Sequence, residues 1–218
     1  MKALIIAAGN EPRGKARDLA QGVWDYIVCA DGGAEHALHL GIKPDLIVGD
    51  FDSLSADILK IYKDRGITVV RLPVEKDFTD LEFAIEQVLD RRANDITIAG
   101  ADGGEFDHEL ANYMLMARYA GKDRKIRIIT SEFESCVISQ SKILTGNTGD
   151  KFSLLPLSSS VEELTIRGAK FETEGLLLPF GSSRALRNEF TQKRVEIYLA
   201  AGKLLCLKYW SSDSGSAV

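Results

Sequence analysis

The feature that most constrains the fold of this chain is an alternation that fills its first 130 residues. Short apolar runs, LIIAA (4–8), YIVCA (26–30), DLIVG (45–49), ITVVRL (67–72), DITIAG (95–100) and KIRIIT (125–130), recur between longer amphipathic stretches. Runs this short, rich in β-branched residues and nearly unbroken by polar positions, read as strands buried on both faces. The stretches between them, 34–40, 56–65, 80–91 and 108–119, read as helices. Ser55 and Thr79 stand at N-cap positions, and Gly41, Gly66 and Gly121 stand where helices stop. Strands alternating with helices predict a doubly wound, mainly parallel α/β sheet covered on both sides.

From about residue 132 the helical period disappears. SCVISQ, KILTG, KFSLLPL, VEELTIRG, AKFET, RVEIYLA and KLLCLKYW follow one another with Gly, Ser, Thr, Asn and Asp between them. That pattern predicts a C-terminal antiparallel β-sandwich or barrel. The expected division is 1–135 for the α/β domain and 136–211 for the β domain. Residues 212–218, small and polar, form the expected flexible tail.

Composition narrows the functional classes. With 45% apolar and 27% charged residues the chain has the balance of a globular protein. A net charge of −5 argues against a surface built to neutralise nucleic-acid phosphates. The N-terminal apolar run at 3–8 is too brief for a signal peptide, and nothing approaches a membrane-spanning length, so no membrane association and a cytoplasmic location are expected. Cys29, Cys136 and Cys206 are odd in number and far apart in sequence, which points to buried reduced thiols rather than a disulfide framework.

The chemistry lies in the placement of acids. Of 17 aspartates, 15 precede Ser131, and Asp31, Asp50, Asp52, Asp77, Asp80, Asp102 and Asp107 all follow expected strands. In open parallel sheets ligands bind beyond the carboxyl ends of the strands, so these carboxylates are expected on one rim. Like charges gathered there repel unless a cation joins them, and magnesium bridges one or two carboxylates to phosphate oxygens. In Asp50-Phe51-Asp52 an extended backbone would send both acids the same way. Glycines in Asp31-Gly32-Gly33 and in GADGGEFDH (100–108) permit close approach of an anion to backbone N–H groups, with His108 beside Asp107. The sequence contains neither a GxxxxGK[ST] loop nor a GxGxxG fingerprint. His36 and His39 read as surface or packing residues on a helix, Trp24 as structural, and Ser135 lacks the context of a nucleophile. These features together imply a magnesium-dependent transfer of a phosphorus-containing group from a nucleotide to a small molecule.

Three motifs, ADGGAEHALHLGIKPDLIVGDFDSL (30–54), EKDFTDLEFAI (75–85) and GADGGEFDHELANYML (100–115), precede a β region containing FGSSRALRNEF (180–190). In this order, over nearly the whole chain, they resemble the thiamin pyrophosphokinase family. The resemblance implies that ATP donates its terminal pyrophosphate to the hydroxyethyl oxygen of thiamin, releasing AMP. It implies a catalytic first domain, an acceptor-binding second domain, and a homodimer with sites at the subunit interface. By matching motif, Asp31, Asp50, Asp52 and Asp80 would hold Mg2+ and the polyphosphate, with Asp77 and Asp107 as further catalytic acids. Gly32, Gly33, Ser53, Lys76, Thr79, Gly103, Gly104, His108 and Asn112 would contact the nucleotide. Ser182, Ser183, Arg187 and Asn188 would line the thiamin pocket, with Phe190, Tyr209 and Trp210 as candidates for stacking on the acceptor. Two positions depart from the family pattern: Glu105 stands where an arginine is usual, and Arg187 where a small hydroxyl residue is usual. Arg187 would then replace the missing guanidinium, pairing with Glu105, or the pocket would suit another heterocyclic alcohol such as a pterin. A non-catalytic sensor of nucleotide or thiamin derivatives is the alternative of a different class.

Overall fold

The computed structural model describes residues 1–52 and 54–211; Ser53 and the expected tail at 212–218 lie outside the described residues. The chain separates into two compact units, Met1–Ser131 and Glu132–Val218. The division falls four residues before the expected one. Strand β7 (Phe133–Ile138) pairs along its whole length with β14 (Leu204–Tyr209), so a cut at 135/136 would sever a strand of the second unit.

The first unit holds a six-stranded parallel sheet. Its strands are β1 (Lys2–Ile6), β2 (Tyr26–Ala30), β3 (Leu46–Gly49), β4 (Thr68–Arg71), β5 (Asp95–Ala99) and β6 (Lys125–Ile129), in the order β6-β5-β1-β2-β3-β4. Helices α1 (Gly14–Ala20), α2 (Gly33–His39), α3 (Ala56–Asp64), α4 (Asp80–Asp90) and α5 (Phe106–Tyr119) connect them. One face is sealed by Ala16 and Ala20 of α1, Ala34 and Ala37 of α2, and Leu59 and Tyr62 of α3, packed with Leu4, Ile6, Cys29 and Ile47 of the strands. Helix α4 packs against β1, β2 and β3 and buries Leu81, Ala84, Ile85 and Val88. Two-sided burial is why the strands are almost uniformly apolar.

Sequence and structure agree at the caps that open α3 and α4. The side chains of Ser55 and Thr79 accept hydrogen bonds from the N–H groups of Ile58 and Glu82. Helix α1 was not expected, because GKARDLA opens on glycine and offers only three apolar residues. Strand β1 ends two residues before the apolar run does. Its neighbour β5 ends at Ala99, paired with Ile6, and leaves Ala7 and Ala8 to a loop.

The order in which strands are added reverses at β1. Strands β2 to β4 run outward on one side, and β5 and β6 on the other, so β1 and β5 flank a topological switch point whose carboxyl-end crevice is the usual ligand position. At Gly33, the first residue of α2, a Cβ would collide with the carbonyl of Ile6; glycine lets this helix start directly over the crevice.

The second unit is an antiparallel sandwich. One sheet has the order β12 (Asn188–Glu189), β9 (Lys151–Pro156), β14 and β7. The other has β11 (Thr173–Pro179), β10 (Ser160–Arg167), β13 (Arg194–Tyr198) and β8 (Lys142–Thr145). Phe152, Leu154, Leu204 and Cys206 from the first meet Val161, Leu164, Ile166, Val195 and Ile197 from the second. AKFET is a turn closed by Asn188 and not a strand; the strand follows as TEGLLLP, where the internal glycine masks the alternation. Phe190, fully buried, packs edge-on against Phe152 with ring centroids 5.4 Å apart, and is a core residue rather than a stacking platform. Phe190→Ala should therefore lower the unfolding free energy by about 3–5 kcal/mol. A urea titration should show a lower midpoint at unchanged slope, and an unaltered midpoint would remove Phe190 from the core.

Candidate active site

The rim of the first unit is built by strand ends. Asp31 follows β2 with φ at +47°, and its N–H donates to the carbonyl of Val48 at 2.7 Å. Asp50 follows β3 directly. The residue between Asp50 and Asp52, Phe51, has φ at +60°, an uncommon region for a bulky side chain. The pair is thus not extended, as the sequence reading had it, but sits on a left-handed turn. Phe51 is buried beneath it, the Arg71 guanidinium lies 5.2 Å from the ring centroid, and the Arg71 Nη1 donates to the Asp50 carbonyl at 2.5 Å. The N–H of Asp52 donates to Asp50 Oδ1 at 3.3 Å.

This turn brings Asp50 and Asp52 to Asp31: oxygens of the three carboxylates lie within 4.8 Å of one another. Charges at that separation repel by roughly 3 kcal/mol per pair at an effective dielectric constant near 20, several times thermal energy. Lys76 opposes part of this repulsion. Its Nζ donates to Asp50 Oδ2 at 2.9 Å and to the Pro73 carbonyl at 3.1 Å, and stands 3.3 Å from Asp80 Oδ1. The hydrogen bond from Lys76 is the main reason that Asp50 titrates below the usual aspartate value. Burial lowers the lysine's proton affinity, but the bond to Asp50 and the attraction of Asp80 outweigh it and hold Lys76 above its ordinary value. Asp80 moves the other way: burial raises its pKa more than Lys76 lowers it, and Asp50 and Asp31 add to the rise.

The donor set fits a hard divalent cation. All its ligating atoms are carboxylate oxygens, and Asp80 Oδ1 is buried without a hydrogen-bond donor aligned on it. One lysine does not balance four acids.

Asp31, Asp50, Lys76 and Asp80 border a cavity of about 470 Å3 at the switch point, together with Thr79, Gly103, Gly104, Glu105, His108 and Asn112; Asp52 is exposed and joins the carboxylate group without lining the cavity. The structure thus brings most of the residues expected to hold metal and nucleotide to one crevice. Asp77 and Asp107 are exposed and do not line it. Asp107 accepts from the N–H of His108, and its carboxylate groups with Glu105 and His108 at the start of α5. Gly32 and Gly33 do not line the cavity either, while the N–H of Gly103 donates to Glu109 at 3.0 Å.

The sequence reading missed the loop after β1. Ala7, Ala8 and Gly9 line the cavity, and the Gly9 carbonyl accepts from His36 Nε2 at 2.8 Å, which makes His36 a support of the site floor. The signal was present as Ala-Ala-Gly-Asn at the end of the strand where the topology reverses.

In the second unit a cavity of about 410 Å3 is lined by Lys170, Phe171, Leu176, Arg184, Leu186 and Asn188 among others. Asn188 is buried, and its amide is spent on structure. Its Oδ1 accepts from the N–H groups of Phe171 and Glu189, and its Nδ2 donates to the Phe171 carbonyl at 2.8 Å. Ser182, Ser183 and Arg187 do not line this cavity. Ser182 Oγ caps the turn at Arg184. Arg187, at φ +53°, donates its N–H to Ser153 Oγ and lays its guanidinium 4.9 Å from the Tyr209 ring centroid. The neighbour of Glu105 is the His108 ring, whose Nε2 lies 3.7 Å from Glu105 Oε2.

Residues 21–130 match the catalytic domain of thiamin pyrophosphokinase, and residues 136–204 match its vitamin B1 binding domain. The chain belongs to the thiamin pyrophosphokinase family. It is 27% identical over 212 residues to the thiamine pyrophosphokinase of Bacillus subtilis, covering 95% of this chain and 99% of that protein. The crystal structure of thiamin pyrophosphokinase from Geobacillus thermodenitrificans superposes with a TM-score of 0.85 at 28% identity, covering 98% of this chain and 99% of that one. A thiamin pyrophosphokinase family protein from Enterococcus faecalis gives 0.84 at 29% identity, with 97% and 100% coverage. Family membership across both units makes this chain an ATP-dependent kinase with thiamin pyrophosphokinase activity and a thiamin-binding domain. Among the described residues no helix is long and apolar enough to cross a membrane.

Lys76→Met should uncover the repulsion that the ammonium now opposes. The Lys76 side chain is 9% exposed, so the loss should approach the ~3 kcal/mol of a broken buried pair. Thermal unfolding in chelator should show a fall in Tm, which millimolar magnesium should partly reverse. An unchanged Tm would mean that Lys76 does not hold the acids together.

Proposed function

We propose that this chain transfers the terminal pyrophosphoryl group of magnesium-bound ATP to the hydroxyethyl oxygen of thiamin and releases AMP. The observation that carries the proposal is the grouping of the Asp31, Asp50 and Asp52 carboxylates where Asp31, Asp50 and the buried Asp80 oxygen border the switch-point cavity. Asp31, Asp50, Asp52 and Asp80 would hold magnesium, which when bound neutralises polyphosphate charge and orients the transferred group.

The remaining work falls to the chain itself. Lys76 presents an ammonium to the same cavity, where it would draw in phosphate oxygens and release Asp50 and Asp80 for the cation. Thr79 caps α4 and fixes the direction of Asp80 in its first turn. The N-termini of α4 and α5 direct positive ends of backbone dipoles toward the crevice, as phosphate sites do. Because the Gly103 N–H is committed to Glu109, Gly104 and the first turn of α5 take the larger share of anion contact. A rim carboxylate relays the hydroxyl proton, and positioning with charge stabilisation supplies most of the acceleration.

The acceptor is thiamin, and the enzyme works as a homodimer. Supporting the dimer, Phe106, Leu110 and Met114 form an exposed apolar stripe at four-residue spacing along α5.

AMP release from Mg-ATP, followed by chromatography with and without thiamin, tests the reaction. AMP should appear only with thiamin, and binding without AMP would leave a sensor. Asp52→Asn should cost about a hundredfold or more in kcat/KM, the scale of a lost electrostatic contact to the transition state. Asp77→Asn, which belongs neither to the carboxylate group nor to the cavity lining, should stay within about threefold, on the scale of ~0.6 kcal/mol. Equal losses in both variants would move the catalytic rim. Leu110→Glu should shift the light-scattering mass from twice that of one chain toward one, and retention of the dimer would place the interface elsewhere.

A further inference from the structure

Cys136 and Cys206 are 70 residues apart in sequence yet occupy facing positions in the β7–β14 ladder. Directly opposed residues in an antiparallel pair have Cα atoms about 4.5 or 5.5 Å apart. Both spacings fall inside the roughly 4.4–6.8 Å window that a disulfide spans. Both thiols are free, and both side chains pack into the apolar interior of the sandwich. Cys206 is buried, whereas Cys136 is half-buried, and Lys142 of β8 brings its Nζ to 3.1 Å from the Cys136 sulfur. Glu134, two residues along β7, is the opposing charge, and it is drawn off by Lys208 of β14 at 3.9 Å.

We propose that Cys136 and Cys206 are a peroxide-reactive thiol pair, with Cys136 the attacking sulfur, Cys206 the resolving sulfur, and Lys142 the residue that holds Cys136 in its reactive form. The hydrogen bond donated by Cys206 and the charge of Lys142 outweigh burial and bring the Cys136 thiol down to about 6, while Cys206 is pushed up and keeps its proton. This division of labour is what the chemistry needs.

The Cys136 thiolate attacks one oxygen of a hydroperoxide. The O–O bond breaks, the leaving oxygen takes up a proton, and Cys136 becomes a sulfenic acid. The Cys206 sulfur then attacks Cys136, the S–O bond breaks, and hydroxide leaves with the Cys206 proton as water. Two thiols and one hydrogen peroxide give one disulfide and two waters. The acids of the first unit take no part, so this site stands or falls independently of the transfer reaction.

Ionisation and intrinsic reactivity must be weighed together. At pH 7 a thiol with a pKa of about 6 is roughly thirtyfold more ionised than one at ~8.5, but its weaker basicity returns most of that advantage. At pH 6 the net gain rises to about tenfold. The test is therefore run across pH.

The reduced full-length protein is pulsed with iodoacetamide between about pH 5 and 9, and the Cys136 peptide is quantified by mass spectrometry. Alkylation should be half-maximal near pH 6, and Lys142→Met should move that midpoint up by about a unit or more. Cys29, fully buried with its thiol pushed up by desolvation, should label only in denaturant and serves as the internal reference. Hydrogen peroxide should remove two hydrogens from the intact mass and yield a peptide joining Cys136 to Cys206. In Cys206→Ser it should instead leave a sulfenic acid on Cys136 that dimedone traps. A wild-type midpoint in the ordinary thiol range would overturn the proposal, as would a wild-type mass unaltered by peroxide.

Discussion

Repulsion among carboxylates is the constraint on which the first unit is organised. Parallel strands covered on both faces deliver their following loops to one rim, and this chain places acids there repeatedly. Such a rim is stable without a cation only because Lys76 reaches between Asp50 and Asp80 and because burial keeps Asp80 easier to protonate. The lysine and a divalent cation therefore serve the same electrostatic need. Under the proposed reaction, a change from one to the other would tie substrate arrival to rearrangement of the site.

Much of the fold was legible because its signals are local. β-branched runs gave the strands, and Ser55 and Thr79 gave the helix starts that the hydrogen bonds bear out. Where local signals were weak, the boundaries slipped. The α1 segment carries too few apolar residues to declare itself, and TEGLLLP hides its alternation behind a glycine. Ala7 and Ala8 look like strand but are not, because strand length is set by the neighbouring β5, a partner far away in sequence.

The candidate site shows the same division. That acids would gather followed from topology and from the family motifs. How Asp50 and Asp52 come together did not, since it depends on a left-handed Phe51 that alternation alone would place in extended backbone. The roles of His36 under Gly9 and of Asn188 around Phe171 depend on tertiary partners that no spacing rule supplies. Cys136 and Cys206 carry the same lesson: distance along the chain argued for isolation, and strand register made them neighbours.

Phe51 has a consequence for which ion the rim can accept. Its ring is held in the core and under Arg71, so the backbone between the two acids is set when the chain folds and not when a ligand arrives. A turn anchored in this way resists being spread. Calcium, which takes six to eight oxygens at about 2.3–2.6 Å, gains from ligands that can move apart, whereas magnesium asks for a tight octahedron at about 2.0–2.1 Å. With magnesium held there as proposed, the stiffness of a single aromatic residue would act as a filter on ionic radius.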